Sequence, residues 1–277
     1  PLIMFTVKQM QTPYGLAVTA SHNPAIYNGI KVFTAGGRDA DQVVTGKIEE
    51  QIALLKPEDV KSIDYDQAMD MGLIREGYPF NEYIDSILQV VDTKKIKRAH
   101  LRIAIDPMYG VSQSSLRTIL LTCRCDVDVI HEQHDTLFGG KMPAPSADTL
   151  KLLSNYVVDN GCNLGVATDG DADRLGVYAK DTKTGEYMSF TGNMSGLLIA
   201  EYELSRKKEM GLLPKPRENG ALVTTIVSSN MAFAVAKEYG LTAIEVLTGF
   251  KYIGEQIARL EAKGESDRYI FGFEESY

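Results

Sequence analysis

At 277 residues and 44% apolar content, the chain is long enough to bury sizeable cores and is expected to divide into two domains or parts of three. Its formal net charge of −8 argues against a general nucleic-acid surface, which would show a basic excess. No apolar run reaches the ~18 residues of a spanning helix, nothing at the N-terminus has the pattern of a signal peptide, and Cys123, Cys125 and Cys162 are too few, and odd in number, for a disulfide framework. The composition thus describes a cytoplasmic protein with reduced, mostly buried thiols and no nucleic-acid or membrane partner. Its oligomeric state is not legible.

Leu2 to Met10 is densely apolar and predicts a helix, followed by a buried strand over Gly15 to Ala20 that the breakers Asn23-Pro24 and Asn28-Gly29 terminate. Val44, Ile48, Ile52 and Leu55 have helical spacing, and Pro57 ends that helix. Lys56 to Arg75 reads as peripheral loops and short helices. Phe80, Tyr83, Ile84, Ile87, Leu88 and Val91 form an amphipathic stripe, and the Lys94 to Arg98 run after it reads as a solvated linker.

From Leu101 the pattern becomes strand, helix, strand, helix, strand. Leu101 to Asp106, Cys125 to Ile130 and Leu164 to Thr168 are the strands; Ser112 to Leu121 is the first helix, and a second, carrying Leu150, Leu153 and Val157, has Ser146 as its cap and Asn160-Gly161 as its stop. This is the βαβ grammar of a parallel sheet with helical cover. It recurs after Phe190: a helix over Asn193 to Leu204, a Pro-bearing loop over Leu213 to Asn219, strands at Ala221 to Val227, Ala243 to Leu247 and Tyr269 to Phe273, and helices at Met231 to Tyr239 and from Lys251 to about Ala262.

Ser21 lies on the loop after the first strand, with His22, Asn23 and, ten positions on, Lys31. A hydroxyl, polar neighbours and an amine are the parts of an activated nucleophile or phosphoryl carrier; the same residues also make an ordinary polar turn. Asp169, Asp171 and Asp173 alternate along a loop between two strands and can turn three carboxylates toward one point, where they repel unless a cation neutralises them. Three carboxylates suit a hard divalent ion such as magnesium, and an acidic surface hairpin is the alternative. An EF-hand is excluded, because Arg174 stands where its glycine belongs and Lys180 where its glutamate belongs. His131 and His134 are spaced i, i+3, which is not the HExxH pattern, and read as loop histidines; His100 has no evident partner.

TASHNP at 19–24 with YNGIK at 27–31, DGDADR at 169–174 and GFEES at 272–276 together resemble, in order, the phosphoserine, metal and sugar-recognition motifs of the α-D-phosphohexomutases, the phosphoglucomutase and phosphomannomutase family. The resemblance spans almost the whole chain. It implies consecutive three-layer α/β/α domains with mostly parallel mixed sheets: domain I over 1–92, domain II over 93–189 and domain III over 190–277. It also implies a fragment, because the chain starts at Pro1, stops directly after the third motif, and would lack the family's N-terminal start and fourth domain.

Carried over residue by residue, the resemblance makes Ser21 the phosphoryl carrier, Lys31 the general acid and base, and His22 a supporting polar group. Magnesium would be held by Asp169, Asp171, Asp173 and the phosphorylated Ser21. Arg174, Gly249, Lys251, Glu274 and Ser276 would bind substrate; an ion pair with the aspartates is the alternative for Arg174, and simple strand termination for Glu274 and Ser276. The implied activity is interconversion of hexose 1-phosphate and hexose 6-phosphate through a bisphosphate, with glucose 1,6-bisphosphate as the priming intermediate. The GFEES form favours glucose; mannose and pentose phosphates are the alternatives, and a non-catalytic sugar-phosphate binding module is the alternative of a different class. The fragment alone is expected to be inactive.

Overall fold

The computed structural model describes residues 1–214 and 219–276. The chain forms two compact units, Pro1–Ala17 with Lys31–Val91, and Val18–Ile30 with the chain from Asp92 onward.

The first unit contains helix α1 (Leu2–Met10) and, but for the end residues Val18 and Ile30, a small sheet in the order β1 (Tyr14–Val18), β2 (Ile30–Thr34), β3 (Arg38–Asp39), with β2 and β3 antiparallel. It continues with helices α2 (Gln42–Leu54), α3 (Tyr65–Asp70) and α4 (Phe80–Val90). Asp41 and Asp64 cap α2 and α3 by accepting the Val44 and Gln67 N–H groups at 2.8 and 3.2 Å. The apolar stripe of α4 faces α1, where Phe5 and Tyr83 meet edge to face at 5.5 Å and Ile84 is buried. The strand after Gly15 is not buried as expected. Tyr14, Leu16 and Val18 alternate outward at 60%, 62% and 72% exposure while Gly15 and Ala17 turn inward, so the period of two in an apolar run reflects one covered face.

The second unit opens with α5 (Thr93–Ala99), and here too the structure corrects the sequence: the Lys94 to Arg98 run is helical, its first turn capped by Asp92, which accepts the Lys95 N–H at 2.9 Å. Two sheets follow. The larger has the order β5 (Asp126–Val129), β4 (Arg102–Asp106), β6 (Leu164–Thr168), β7 (Leu175–Lys180), β8 (Tyr187–Phe190). β4, β5 and β6 are parallel, whereas β7 and β8 return as antiparallel neighbours. β4 is covered on both faces, so its residues 103–106, the charged Asp106 included, are all buried. The smaller sheet, β10 (Thr242–Val246), β9 (Ala221–Thr225), β11 (Tyr269–Phe273), is wholly parallel with β9 buried along its length.

Helices supply the outer layers. α6 (Ser112–Thr122) and α7 (Lys151–Asp159) pack on the larger sheet, where Leu150, Leu153 and Val157 join Ala104 and Ala167 in one core. Helix α7 begins at Lys151 without a side-chain cap, and Ser146 lies in the preceding turn rather than at the N-cap. α8 (Gly192–Glu209) and α9 (Met231–Glu238) bring Ala200, Leu204, Ala232 and Ala236 onto Leu222 and Phe273. α10 (Phe250–Ala262) lies on the opposite face, since its buried Ile253 packs at Gly272, the neighbour of Phe273 in a strand whose residues alternate sides. α8 is longer than the apolar spacing over Asn193 to Leu204 indicated, and the strand from Ala221 ends at Thr225 because Ile226 and Val227 enter a turn. The loop expected over Leu213 to Asn219 falls largely on 215–218, outside the described residues. No described helix is long and apolar enough to cross a membrane.

Leu153 is fully buried while its neighbour Leu152 is 48% exposed. Leu153→Ala should therefore cost about 2–5 kcal/mol of stability in urea denaturation, and Leu152→Ala no more than about 0.5 kcal/mol.

Candidate functional site

β6 delivers the chain into the connection 169–174, and β7 leaves it in the opposite direction, with Thr168 and Leu175 paired across the hairpin. Within it, the Ala172 N–H donates to the Asp169 carbonyl at 3.1 Å, and Ala172 takes a left-handed φ of 60°. That reversal folds Asp169, Asp171 and Asp173 onto one side, where a carboxylate oxygen of each lies within 4.8 Å of the others. Asp169 is fully buried; its Oδ1 accepts the N–H groups of Asp173 and Arg174 at 3.0 and 3.1 Å. The Arg174 Nε lies 3.8 Å from Asp169 Oδ2 and 3.9 Å from Asp173 Oδ1, the internal ion pair weighed above.

The loop between β1 and β2 brings Ser21 to this cluster. The Ser21 Oγ donates to Asp169 Oδ2 at 3.3 Å, and His22 Nδ1 lies 3.2 Å from the same Oγ. Ser21 itself has a left-handed φ of 54°, held by its N–H donating to Thr19 Oγ1 at 2.9 Å. The Thr19 hydroxyl in turn donates to Asp171 Oδ2 at 3.2 Å. A non-glycine residue in this conformation costs energy that the surroundings must supply, and such strain concentrates at functional sites. Gly170 permits the approach: a Cβ there would stand 2.9 Å from the Ser21 carbonyl oxygen.

Burial, then the charges of Asp173 and Asp171, push the Asp169 carboxyl up to about 7, against the opposing pull of the Arg174 N–H and guanidinium. A buried carboxylate pressed by two others favours positive charge beside it. The cluster's all-oxygen donors fit a hard divalent cation such as magnesium.

The remaining predicted residues form a second group at the carboxyl ends of the smaller sheet. Gly249 caps α10 with a φ of 125°, open to glycine, and its N–H donates to Glu274 Oε2 at 2.7 Å. The Lys251 Nζ stands 5.1 Å over the Tyr252 ring, and Ser276 is exposed. Lys31 lies on β2, in the first unit, and is partly buried.

Sequence reasoning gave no role to Thr19, Asp106 or Glu275. Thr19 stands inside TASHNP, yet only its contacts single it out. Asp106 is buried at the end of β4, where both its oxygens lie 3.0 Å from His131 Nδ1 and it accepts the Met108 N–H at 2.8 Å; burial pushes its carboxyl upward. His131, a loop residue as expected, is thus the partner of a buried acid.

Family models match most of the chain: phosphoglucomutase/phosphomannomutase alpha/beta/alpha domain I at residues 1–58, domain II at 81–184 and domain III at 191–277. The phosphoglucosamine/phosphogalactosamine mutase of Sulfurisphaera tokodaii is 29% identical over 276 residues, covering 100% of this chain and 55% of that protein. The phosphoglucomutase of Staphylococcus haemolyticus is 28% identical over 285 residues, covering 100% and 50%. The chain thus spans about half the length of these curated relatives. Among solved structures, that of a putative phosphomannomutase from Thermus thermophilus shares the fold with a TM-score of 0.74 at 24% identity, covering 100% of this chain and 56% of the other.

The raised Asp169 carboxyl sets a pH dependence for the metal-free protein. The folded state holds this proton to about 7 while the unfolded state releases it near 3.8, so folded protein binds more protons between those values and loses stability as pH rises through them. With a chelator present, the melting temperature of wild type should change less favourably with rising pH over this window than that of Asp169→Asn; parallel profiles would remove Asp169 as the source of the difference. Magnesium should raise the melting temperature more above that window than below it, since a ligand carboxylate must be deprotonated.

Proposed function

Because the chain belongs to the phosphoglucomutase/phosphomannomutase family, we propose that it carries the phosphoserine, metal and sugar-recognition parts of a magnesium-dependent phosphohexomutase, in domains over 1–92, 93–189 and 190–277. The enzyme would interconvert hexose 1-phosphate and hexose 6-phosphate, with glucose phosphate favoured by the GFEES form of the sugar loop. The observation that carries this reading is Ser21 Oγ at 3.3 Å from Asp169, beside two further carboxylates. A phosphorylated Ser21 would add its own negative charge at that point, a grouping that repels itself unless a cation is shared.

Asp169, Asp171 and Asp173, with a phosphoserine oxygen, would hold the magnesium ion. When bound, the ion would neutralise the transferring phosphoryl group and the charge that develops on it. Ser21 gives up the phosphoryl group to the free hydroxyl of the sugar monophosphate and later receives the other phosphate of the bisphosphate, so one hydroxyl serves both positions of the sugar. Thr19 fixes the Ser21 backbone, and His22 orients the Oγ from 3.2 Å. Lys31 would take and return the proton of the sugar hydroxyl, and Arg174 would contact phosphate oxygens, where its planar fork fits. Glu274 and Ser276 would receive sugar hydroxyls, with Gly249 and Lys251 shaping the adjoining loop.

Incubation with glucose 1,6-bisphosphate should add one phosphoryl mass to the protein, on the peptide that contains Ser21; Ser21→Ala should abolish it, and phosphate found elsewhere would sink the assignment. Release of inorganic phosphate without return to Ser21 would indicate a phosphatase instead. Asp171→Asn should lower the rate of this phosphorylation by at least about tenfold and reduce the magnesium-induced rise in melting temperature. An equal rise in variant and wild type would count against Asp171 as a ligand. Coupled assays of the full-length protein with glucose, mannose and ribose phosphates then decide the sugar.

A further inference from the structure

Two adjacent glutamates, Glu274 and Glu275, follow β11, and their carboxylates go to two different helices. Glu274 Oε2 accepts the N–H of Gly249, the cap residue of α10. Glu275 Oε2 accepts the N–H of Asn193, in the first turn of α8, at 2.5 Å. A carboxylate at a helix N-terminus satisfies a donor with no partner inside the helix and meets the positive end of its dipole. The Glu275 backbone is held as well: its N–H donates to Ser228 Oγ at 3.0 Å, and Ser228 Oγ lies 3.1 Å from Thr225 Oγ1 at the end of β9. Asn193 closes the ring by accepting the Ser229 N–H through Oδ1 at 2.6 Å.

Gly192, the first residue of α8, leaves room for this carboxylate. A Cβ there would stand 2.5 Å from Glu275 Oε1 and 3.1 Å from its carboxyl carbon. The side chain of Glu275 therefore fills the space at the start of α8, and the residue that carries it is flanked by both sugar-binding candidates, Glu274 and Ser276. The Ser276 N–H also donates to Glu275 Oε1 at 3.3 Å.

We infer that Glu275 is a positioning residue for sugar recognition. It acts through Glu274 and Ser276, by fastening the loop after β11 to the N-terminus of α8 and to the 225–229 turn. α8 starts directly after β8 of the larger sheet, so the clamp ties the sugar loop to the sheet that bears the aspartate loop. The inference rests on the sugar-loop reading above.

The test compares wild type with Glu275→Ala, Glu275→Gln and Gly192→Ala, reading amide exchange, the Kd for glucose 1,6-bisphosphate and the magnesium-induced shift in melting temperature. Loss of a charge-assisted hydrogen bond that orders a loop should raise the Kd about tenfold in Glu275→Ala and speed amide exchange at Asn193 and 274–276 by a similar factor. Glu275→Gln keeps the accepting oxygen and should recover most of both. Gly192→Ala improves helix propensity but displaces the carboxylate, so it should reproduce the loosened loop without lowering the melting temperature. The magnesium shift should be the same in all four proteins. Unchanged exchange and Kd in both Glu275→Ala and Gly192→Ala, or no recovery in Glu275→Gln, would overturn the proposal. If wild type binds no sugar bisphosphate, the reading of the site fails, while amide exchange alone still decides whether Glu275 holds the loop.

Discussion

Electrostatic repulsion among three carboxylates governs the arrangement around the 169–174 hairpin. Asp169 is fully buried and its neighbours crowd it, so its charge is expensive in the absence of a cation. The fold offsets part of that cost with two backbone N–H groups and the Arg174 guanidinium, all supplied by the same hairpin. The Ser21 hydroxyl adds a further donor. Positive charge is favoured at such a position, and perturbed carboxyls of this kind are common at functional sites.

Topology decides where that position lies. β4 and β6 are parallel neighbours, so their carboxyl ends emerge on the same edge of the sheet and place Asp106 and Asp169 there. The smaller sheet repeats the device: β9, β10 and β11 all run one way, and their ends feed the 226–230, 247–249 and 274–276 loops. Carboxyl ends of parallel strands are the usual place for ligands in such sheets, because helices return from there with their N-termini exposed. Glu274 and Glu275 exploit this by meeting two of those N-termini.

Backbone strain at the site has a local cause. Ser21 and Ala172 both adopt left-handed conformations, and each is locked by a short-range hydrogen bond, from the Ser21 N–H to Thr19 Oγ1 and from the Ala172 N–H to the Asp169 carbonyl. Thr19 then connects the two loops through Asp171. A threonine serving as acceptor and donor at once is economical, and it leaves no trace in a hydropathy pattern.

Much of the architecture could be read from residue order alone. Apolar runs bounded by Gly, Pro and Asn located seven of the eleven described strands, missing β2, β3, β7 and β8, and 3.6-residue spacing located α2, α4 and α7, because burial on one face imposes those periods. The alternation of Asp169, Asp171 and Asp173 likewise announced a convergent acidic loop, since it follows from a turn between two strands. The helical Lys94 to Arg98 run is set locally by the Asp92 cap, a signal its charges obscured. Three features required the tertiary structure. The exposed face of β1 depends on what covers it, and apolar residues look alike on either face. Pairing of His131 with Asp106 joins residues 25 apart in sequence, and that of Glu275 with Asn193 joins residues 82 apart. Sequence determined many of the segments that would be strands, helices and turns because those are set by neighbours within a few positions. Only the packed fold decided which side chains meet, because hydrogen bonds between distant residues are selected by the geometry of sheets and helix ends and carry no local signature.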